Sequence, residues 1–404
     1  MAPHRIVFGL ALLAACSSTE PGPPQQLTAL PRELSANERR IATASNQFTL
    51  TLLKRLVAQQ PTENVFVSPL SVSFSLGMAL NGAAGSTLDE MRSTLGFGGA
   101  TLQEINDGYK SLMGLERGLD PSTTFLIANS VWHRQSLPVT QSFVDNVKQT
   151  FDAEVRASPF DATTVTQVNA WVSDKTNGKI PKIMDSISPE LVMFLINAIY
   201  FKGSWREQFD KSQTRDSPFA ALGGEQTVKM MSRKEAKMPF AFTSEYVAGD
   251  LVYGNSAFVM TVVVPRANAV NAFAAALDTA LWSGIIADLH EGKAPVQFPK
   301  LTLEYERQLK DDLTALGMVT PFDEVRADFS NMSPVGADMY ISFVKHKTFV
   351  QIDEEGTEAA AVTNTGIGLT SAPPCLCADR PFVFAIRERF SGTILFMGRI
   401  VRIP

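Results

Sequence analysis

Histidine and cysteine are scarce in this sequence, and their scarcity removes most catalytic and metal-binding readings. The four histidines, His4, His133, His290 and His346, form no H-E-x-x-H pair able to hold zinc. Neither a G-x-S-x-G elbow, a phosphate-binding Walker loop nor a dinucleotide fingerprint occurs. Gly96-Phe97-Gly98-Gly99 follows a helical pattern rather than a strand and reads as a turn. A dispersed Ser-His-Asp set is a matter of geometry that spacing does not decide. The expectation is no catalytic residue, no metal and no cofactor. Three cysteines in 404 residues do not make a disulfide framework. Cys375 and Cys377 are separated by one residue, a spacing that strains a disulfide, so free thiols are expected. Beyond residue 15 no uninterrupted apolar stretch reaches the roughly 18 residues of a membrane-spanning helix. The net charge is -5, and the basic clusters at 233–237 and 345–347 are short and interrupted. That balance argues against a nucleic-acid partner, which requires clustered Lys and Arg.

What is present is an ordinary globular composition, 45% hydrophobic and 19% charged. Ahead of it, His4 and Arg5 precede the apolar run Ile6 to Ala15, the length of a secretory h-region. Leu13-Ala14-Ala15-Cys16 resembles a bacterial lipobox. Residues 1–15 are then a lipoprotein-type signal peptide and Cys16 carries the lipid. An ordinary export signal with an incidental cysteine is the alternative, and the protein is then secreted. Ser17 follows the cysteine, with no Asp to suggest inner-membrane retention. The expected location is the outer membrane, facing the periplasm or the extracellular space. Several acyl chains would anchor the protein stably where one would not. Residues 16–40 read as the lipidated cysteine and a flexible tether, with four prolines between Ser17 and Leu34.

From residue 41 to 404 no boundary or internal repeat appears, so a single domain is expected. Ser68-Pro69 has the form of an N-cap and first-turn proline, with Leu70, Phe74, Met78 and Ala79 along one helix face. Thr87 followed by Glu90 has the spacing of a capping box. Buried-strand patterns run from Leu191 to Phe201, Phe258 to Val264, Phe382 to Ile386 and Thr393 to Val401. With helices concentrated in the first half and strands in the second, the fold class is α+β with large antiparallel sheets.

The most unusual segment is Gly356 to Ser371, GTEAAAVTNTGIGLTS, with no proline and the single charge Glu358. As a strand it would present Thr357, Ala359, Ala361, Thr363, Thr365 and Ile367 on one narrow, uncharged face and Glu358 on the other. Such a segment is polar enough to stay exposed and small enough to enter a sheet. A plain linker between two strands satisfies the same pattern.

Six ordered stretches, NVFVSPLSVSFSLGMALNGAAGSTLDEM (64–91), NAWVSDKTNGKI (169–180), LINAIYFKGSWREQFD (195–210), FPKLTLEYERQLKDDLTALGM (298–318), KHKTFVQIDEEGTEAAAVT (345–363) and RPFVFAIRERFSGTILFMGRI (380–400), resemble the serpin family of serine protease inhibitors. The resemblance implies helices packed around three β-sheets, with a large central sheet and an exposed reactive loop. It also implies a suicide substrate. A serine protease is acylated by the loop, and the cut loop then inserts into the central sheet and traps the enzyme as a covalent complex. Gly356, Thr357, Glu358, Ala359, Ala360 and Ala361 match the loop hinge, whose inward face must stay free of bulk and charge. Lys300, Glu354 and Trp205 match the region where the loop first enters, termed the breach. Ser68, Ser71, Asn197 and His346 match the polar cluster at the sheet centre, termed the shutter.

By the family's spacing the bait bond is Thr370-Ser371, fourteen residues beyond Gly356 and eleven before Pro381. Thr370 suits the shallow specificity pocket of an elastase-like or subtilisin-like protease. A frame shifted by one makes it Leu369-Thr370, for a chymotrypsin-like enzyme. Arg and Lys are absent from Gly356 to Ala378, which disfavours trypsin-like targets. Gly366 and Gly368 depart from the pattern by lowering strand propensity near the cut. They leave a second reading, a non-inhibitory binding protein on the same fold. The Thr101 to Leu119 region lacks a dense basic stripe, so no heparin-like activator is expected, and a monomer is.

Overall fold

The computed structural model describes residues 25–266, 269–357 and 374–404. Cys16 and loop residues Glu358 to Pro373, with the bait bond, lie outside the described residues. The first helix, α1 (Ala36–Gln59), begins inside the segment expected to be a tether. The reason is a capping box: the Ser35 hydroxyl accepts from the Glu38 amide at 3.2 Å, and the Glu38 carboxylate accepts from the Ser35 amide at 2.6 Å. Leu27, Leu30 and Leu34 also pack against the main core, so the ordered body starts well before residue 41.

Strand β1 (Val65–Val67) leads into α2 (Pro69–Leu80), whose N-terminus is capped by Ser68. Almost every residue of α2 is buried, which suits a helix lying within the core rather than on it. The next helix, α3 (Gly85–Thr94), starts two residues before Thr87, and no side chain caps it. Thr87 and Glu90 therefore do not form the expected capping box. The Thr87 hydroxyl accepts from the Asp328 amide, and Glu90 accepts from the amides of Val319 and Thr320. Both residues tie down a distant segment instead.

Then come α4 (Leu102–Arg117), β2 (Thr124–Arg134), α5 (Gln141–Phe151), β3 (Ala153–Ser158), α6 (Ala162–Lys175) and β4 (Met193–Ser204). The strand-rich half continues with β5 (Arg215–Ala221), β6 (Gly224–Phe242), β7 (Tyr246–Val252) and β8 (Phe258–Pro265). After α7 (Val270–Ala276) and α8 (Thr279–Asp288) follow β9 (His290–Pro299), β10 (Leu301–Gln308), α9 (Lys310–Ala315) and β11 (Lys345–Ile352). Last are the two-residue β12 (Gly356–Thr357) and β13 (Leu376–Cys377), then β14 (Phe382–Glu388) and β15 (Ile394–Ile400).

Three sheets form among the described residues. Nine strands run β1-β15-β14-β8-β7-β6-β9-β13, with β5 on β6. Four run β12-β4-β2-β3, and β10 pairs β11 alone. Strand alternation in β4 divides two cores. Met193, Ile199 and Phe201 face the main core behind the sheet. Phe194, Ile196 and Ala198 face a smaller core with Trp132 and Trp171 under α6.

Cys375 and Cys377 are joined as a disulfide with Cα atoms 5.2 Å apart, which corrects the expectation of free thiols. Only Leu376 and Cys377 belong to β13, and the chain at Cys375 is contracted below the roughly 6.6 Å of two strand steps, to a separation a disulfide spans. Leu376 between them is fully buried and points the other way, onto Gly249.

Candidate functional site

The chain enters the four-stranded sheet immediately before the undescribed loop. Gly356 and Thr357 pair antiparallel with Ser204 and Gly203 of β4. Gly356 has φ +149°, and a Cβ there would lie 2.1 Å from the Gly203 carbonyl oxygen, so only glycine fits this crossing. Thr357 is 3% exposed, and its hydroxyl meets the Tyr253 hydroxyl at 2.9 Å. Its side chain thus points into the core, beneath the sheet. Tyr253 stacks on Trp205 with ring centroids 4.5 Å apart. Trp205 in turn donates from its indole nitrogen to the Asp353 carbonyl at 2.9 Å.

Around this crossing the three expected breach residues meet. Lys300 reaches the Glu354 carboxylate at 2.7 Å, and the Thr214 hydroxyl donates to the same carboxylate at 2.8 Å. Burial pushes the Glu354 carboxyl up, but these hydrogen bonds outweigh it and hold it below the usual carboxylate range. Backbone bonds pin the turn as well: the Phe209 amide donates to the Glu354 carbonyl and the Trp205 amide to the Glu355 carbonyl, each at 2.8 Å. Sequence reasoning missed Glu355, equally buried and paired with Lys211, and it missed Tyr253. The adjacent Glu354-Glu355 pair was the available signal for the former. Tyr253 comes from a separate strand turn, and local sequence gives no sign of it.

Below the crossing, β4 and β11 line the same space, with no ladder between them among the described residues. The space widens downward into a cavity of about 570 Å³ bounded by α2, the lower half of β4 and residues 339–347. All four expected shutter residues lie at this level, but they do not form one bonded cluster. Ser68 donates from its amide to His346 Nε2 at 3.0 Å and from its hydroxyl to the Leu395 carbonyl at 2.7 Å, and its oxygen caps Ser71. Ser71, Asn197 and His346 line the cavity. The Asn197 amide nitrogen donates across the sheet to Asn129 at 2.7 Å, leaving its oxygen buried without a partner among the described residues. Asn129 is the shutter contact that the sequence did not reveal.

His346 is 4% exposed, and burial pulls its pKa down to about 4. Its neutral ring is what accepts the Ser68 amide. The folded pKa lies below the unfolded value near 6.5, so the stability is complete above about pH 6.5 and is lost as pH falls towards 4. The full effect is roughly 3 kcal/mol. Urea titrations between pH 7.5 and 4.5 should show this loss, and His346→Asn should flatten it.

A family model described as Serpin (serine protease inhibitor) matches residues 43–403. Serpin B8 of Bos taurus is 35% identical over 378 residues, spanning 89% of this chain and 98% of its own. The thermophilic serpin tengpin in its native state superposes with a TM-score of 0.82 at 28% identity, covering 94% of this chain and 97% of tengpin. Human thyroxine-binding globulin complexed with its ligand gives 0.83 at 27%, with 91% and 100% covered. The chain belongs to the serpin family. It is not an enzyme, since serpins are protease inhibitors or binding proteins. The globulin is named for binding, so the fold alone does not decide between those two roles.

Proposed function

We propose that this serpin inhibits serine endopeptidases as a suicide substrate. The observation that carries the proposal is the start of a strand, Gly356-Thr357, laid on β4 at the head of an unfilled gap beside β11. In this register paired residue numbers sum to 560, as 356 + 204 and 357 + 203 do. Continued downward, it sets Ala359 opposite Phe201, Ala361 opposite Ile199, Thr363 opposite Asn197 and Ile367 opposite Met193. Every inward position then receives a small or β-branched residue. The Thr363 hydroxyl arrives beside the unpaired Asn197 oxygen.

β4 ends at Met193, so the register runs out at Ile367 and Thr370 falls beyond the far end of the strand. Eleven steps of strand, roughly 36 Å, then separate Ile367 from the crossing at Gly356, and Thr370 lies three residues further on. The protease serine oxygen attacks the Thr370 carbonyl carbon, the bond to Ser371 breaks, and the proton from the serine leaves on the new Ser371 amine. Thr370 stays esterified to the protease. The cut end on its side moves with β4. The other side stays with β13, whose Leu376 and Cys377 pair parallel with Val296 and Gln297 of β9. Separating the two ends removes the amine that could reverse the cut. Carrying the protease to the opposite pole displaces its catalytic groups.

Incubation of the chain from Ser17 with elastase-like, subtilisin-like and chymotrypsin-like proteases should give a complex that survives denaturing gels. It should also release a C-terminal fragment beginning at Ser371. A fragment beginning at Thr370 would move the bait bond to Leu369-Thr370. Loop cleavage without any complex would leave the binding-protein reading, which Gly366 and Gly368 favour.

A further inference from the structure

A second cavity, of about 300 Å³, opens beside Trp205. Its size is at the lower end for small-ligand sites. One wall is apolar, formed by the buried rings of Trp205 and Phe209. Facing it are Arg233, Lys237 and Arg389. Three acidic residues share the lining, and each is already engaged. Asp250 is held by Arg387 at 2.7 Å and by the Thr261 hydroxyl at 2.6 Å, while Glu207 and Glu291 pair with Arg233 and Arg389 at 3.6 Å.

Two donors in this lining are buried without a protein partner among the described residues, the Arg233 Nε and the Ser256 hydroxyl. Ser256 is wholly buried, and it holds φ +77°, a conformation that costs a serine energy. Arg233 lies directly before a bulge, where the pairing of β6 with β9 shifts by one between Arg233 and Ala236. Bulges re-aim side chains, and here the guanidinium lies 4.6 Å over the Phe209 ring. Burial lowers the Arg233 pKa to about 10, which leaves it a cation at neutral pH.

A partly buried cation, 17% exposed, beside an aromatic wall and two buried donors matches a molecule carrying a carboxylate on an aromatic ring. The planar guanidinium suits a carboxylate in particular. We propose that this cavity is a binding site for a small aromatic carboxylate, held by Arg233 and Ser256 with its ring against Trp205 and Phe209. The site shares Trp205 with the crossing at Gly356, but the proposal does not depend on protease trapping.

Calorimetric titration of the full-length chain with 2-naphthoate tests it, alongside 2-naphthamide and inorganic phosphate. The expected result is saturable one-to-one binding of naphthoate with Kd below about 1 mM, at least tenfold tighter than either comparison compound. Arg233→Gln should weaken it tenfold or more, and Ser256→Ala should weaken it measurably with an unchanged Tm. Naphthoate should quench tryptophan fluorescence, and Trp205→Phe should remove that quench while Trp132, Trp171 and Trp282 remain. Equal binding of the amide, tighter binding of phosphate, or an unaltered Kd in a folded Arg233→Gln would overturn the assignment. So would the absence of binding to the unaltered chain.

Discussion

Thr357→Arg is expected to turn the inhibitor into a substrate. The protease still cuts the loop, but gel-stable complex falls at least tenfold relative to cleaved chain. Thr357 is the first inward residue of the inserting strand, 3% exposed and bonded to Tyr253 beneath the sheet. An arginine there must either remain outside, which stalls insertion at its first step, or bury a charge without a carboxylate partner. The second course costs several kcal/mol. Trapping depends on a race between insertion and hydrolysis of the acyl-enzyme. About 3 kcal/mol on the insertion barrier slows that arm roughly a hundredfold. Gel densitometry of complex against cleaved chain reads the ratio directly. Glu358→Arg, on the opposite face by alternation, should change it by no more than about twofold.

The second large effect is on stability. Cleavage within the loop should raise the Tm by about 10 °C or more. Among the described residues the facing edges of β4 and β11 lack a ladder, and in the proposed mechanism the inserted strand supplies partners to both. A net gain on the order of 10 kcal/mol is expected from two ladders of this length, and for a chain of this size that corresponds to roughly 12 °C. Calorimetric scans of intact and loop-cleaved chain, with the cut mapped by mass, make the comparison. An unchanged or lower Tm after cleavage would mean that the gap is not filled.

Much of this architecture was legible in the sequence because local rules act locally. Ser68-Pro69 does cap and open α2, and the strand patterns at Phe258 and Phe382 begin β8 and β14 at those residues. The patterns beginning at Leu191 and Thr393 fall within two residues of the starts of β4 and β15. Failures came where a distant segment competed for a side chain. Thr87 and Glu90 have capping-box spacing, yet the 319–328 segment claims both. The reverse error was made at Ser35 and Glu38, a genuine capping box hidden in a stretch that composition assigned to a tether. Strain in a short ring argues for free thiols at Cys375 and Cys377, while the local contraction of the chain that lets them bridge is not visible in their spacing.

The site divides in the same way. The composition of the hinge and its two-residue period were readable, because they are properties of one segment. That Thr357 would meet Tyr253, that Asn197 would bond Asn129, and that Lys211 would cover Glu355 depend on which strands become neighbours. Local sequence carries no trace of those encounters. The parted sheet is also a tertiary fact, since neither β4 nor β11 differs in pattern from a strand with two partners.

Amide hydrogen exchange tests the central claim that the gap between β4 and β11 is the loop's destination. Peptides covering Met193–Ser204 and Lys345–Ile352 would be followed by mass spectrometry before and after cleavage in the loop. The account predicts that both strands gain protection on cleavage, together with the loop segment from Glu358 to Ile367, while β13 and the nine-stranded sheet stay unchanged. Cleavage that leaves β4 and β11 exchanging as before would contradict it.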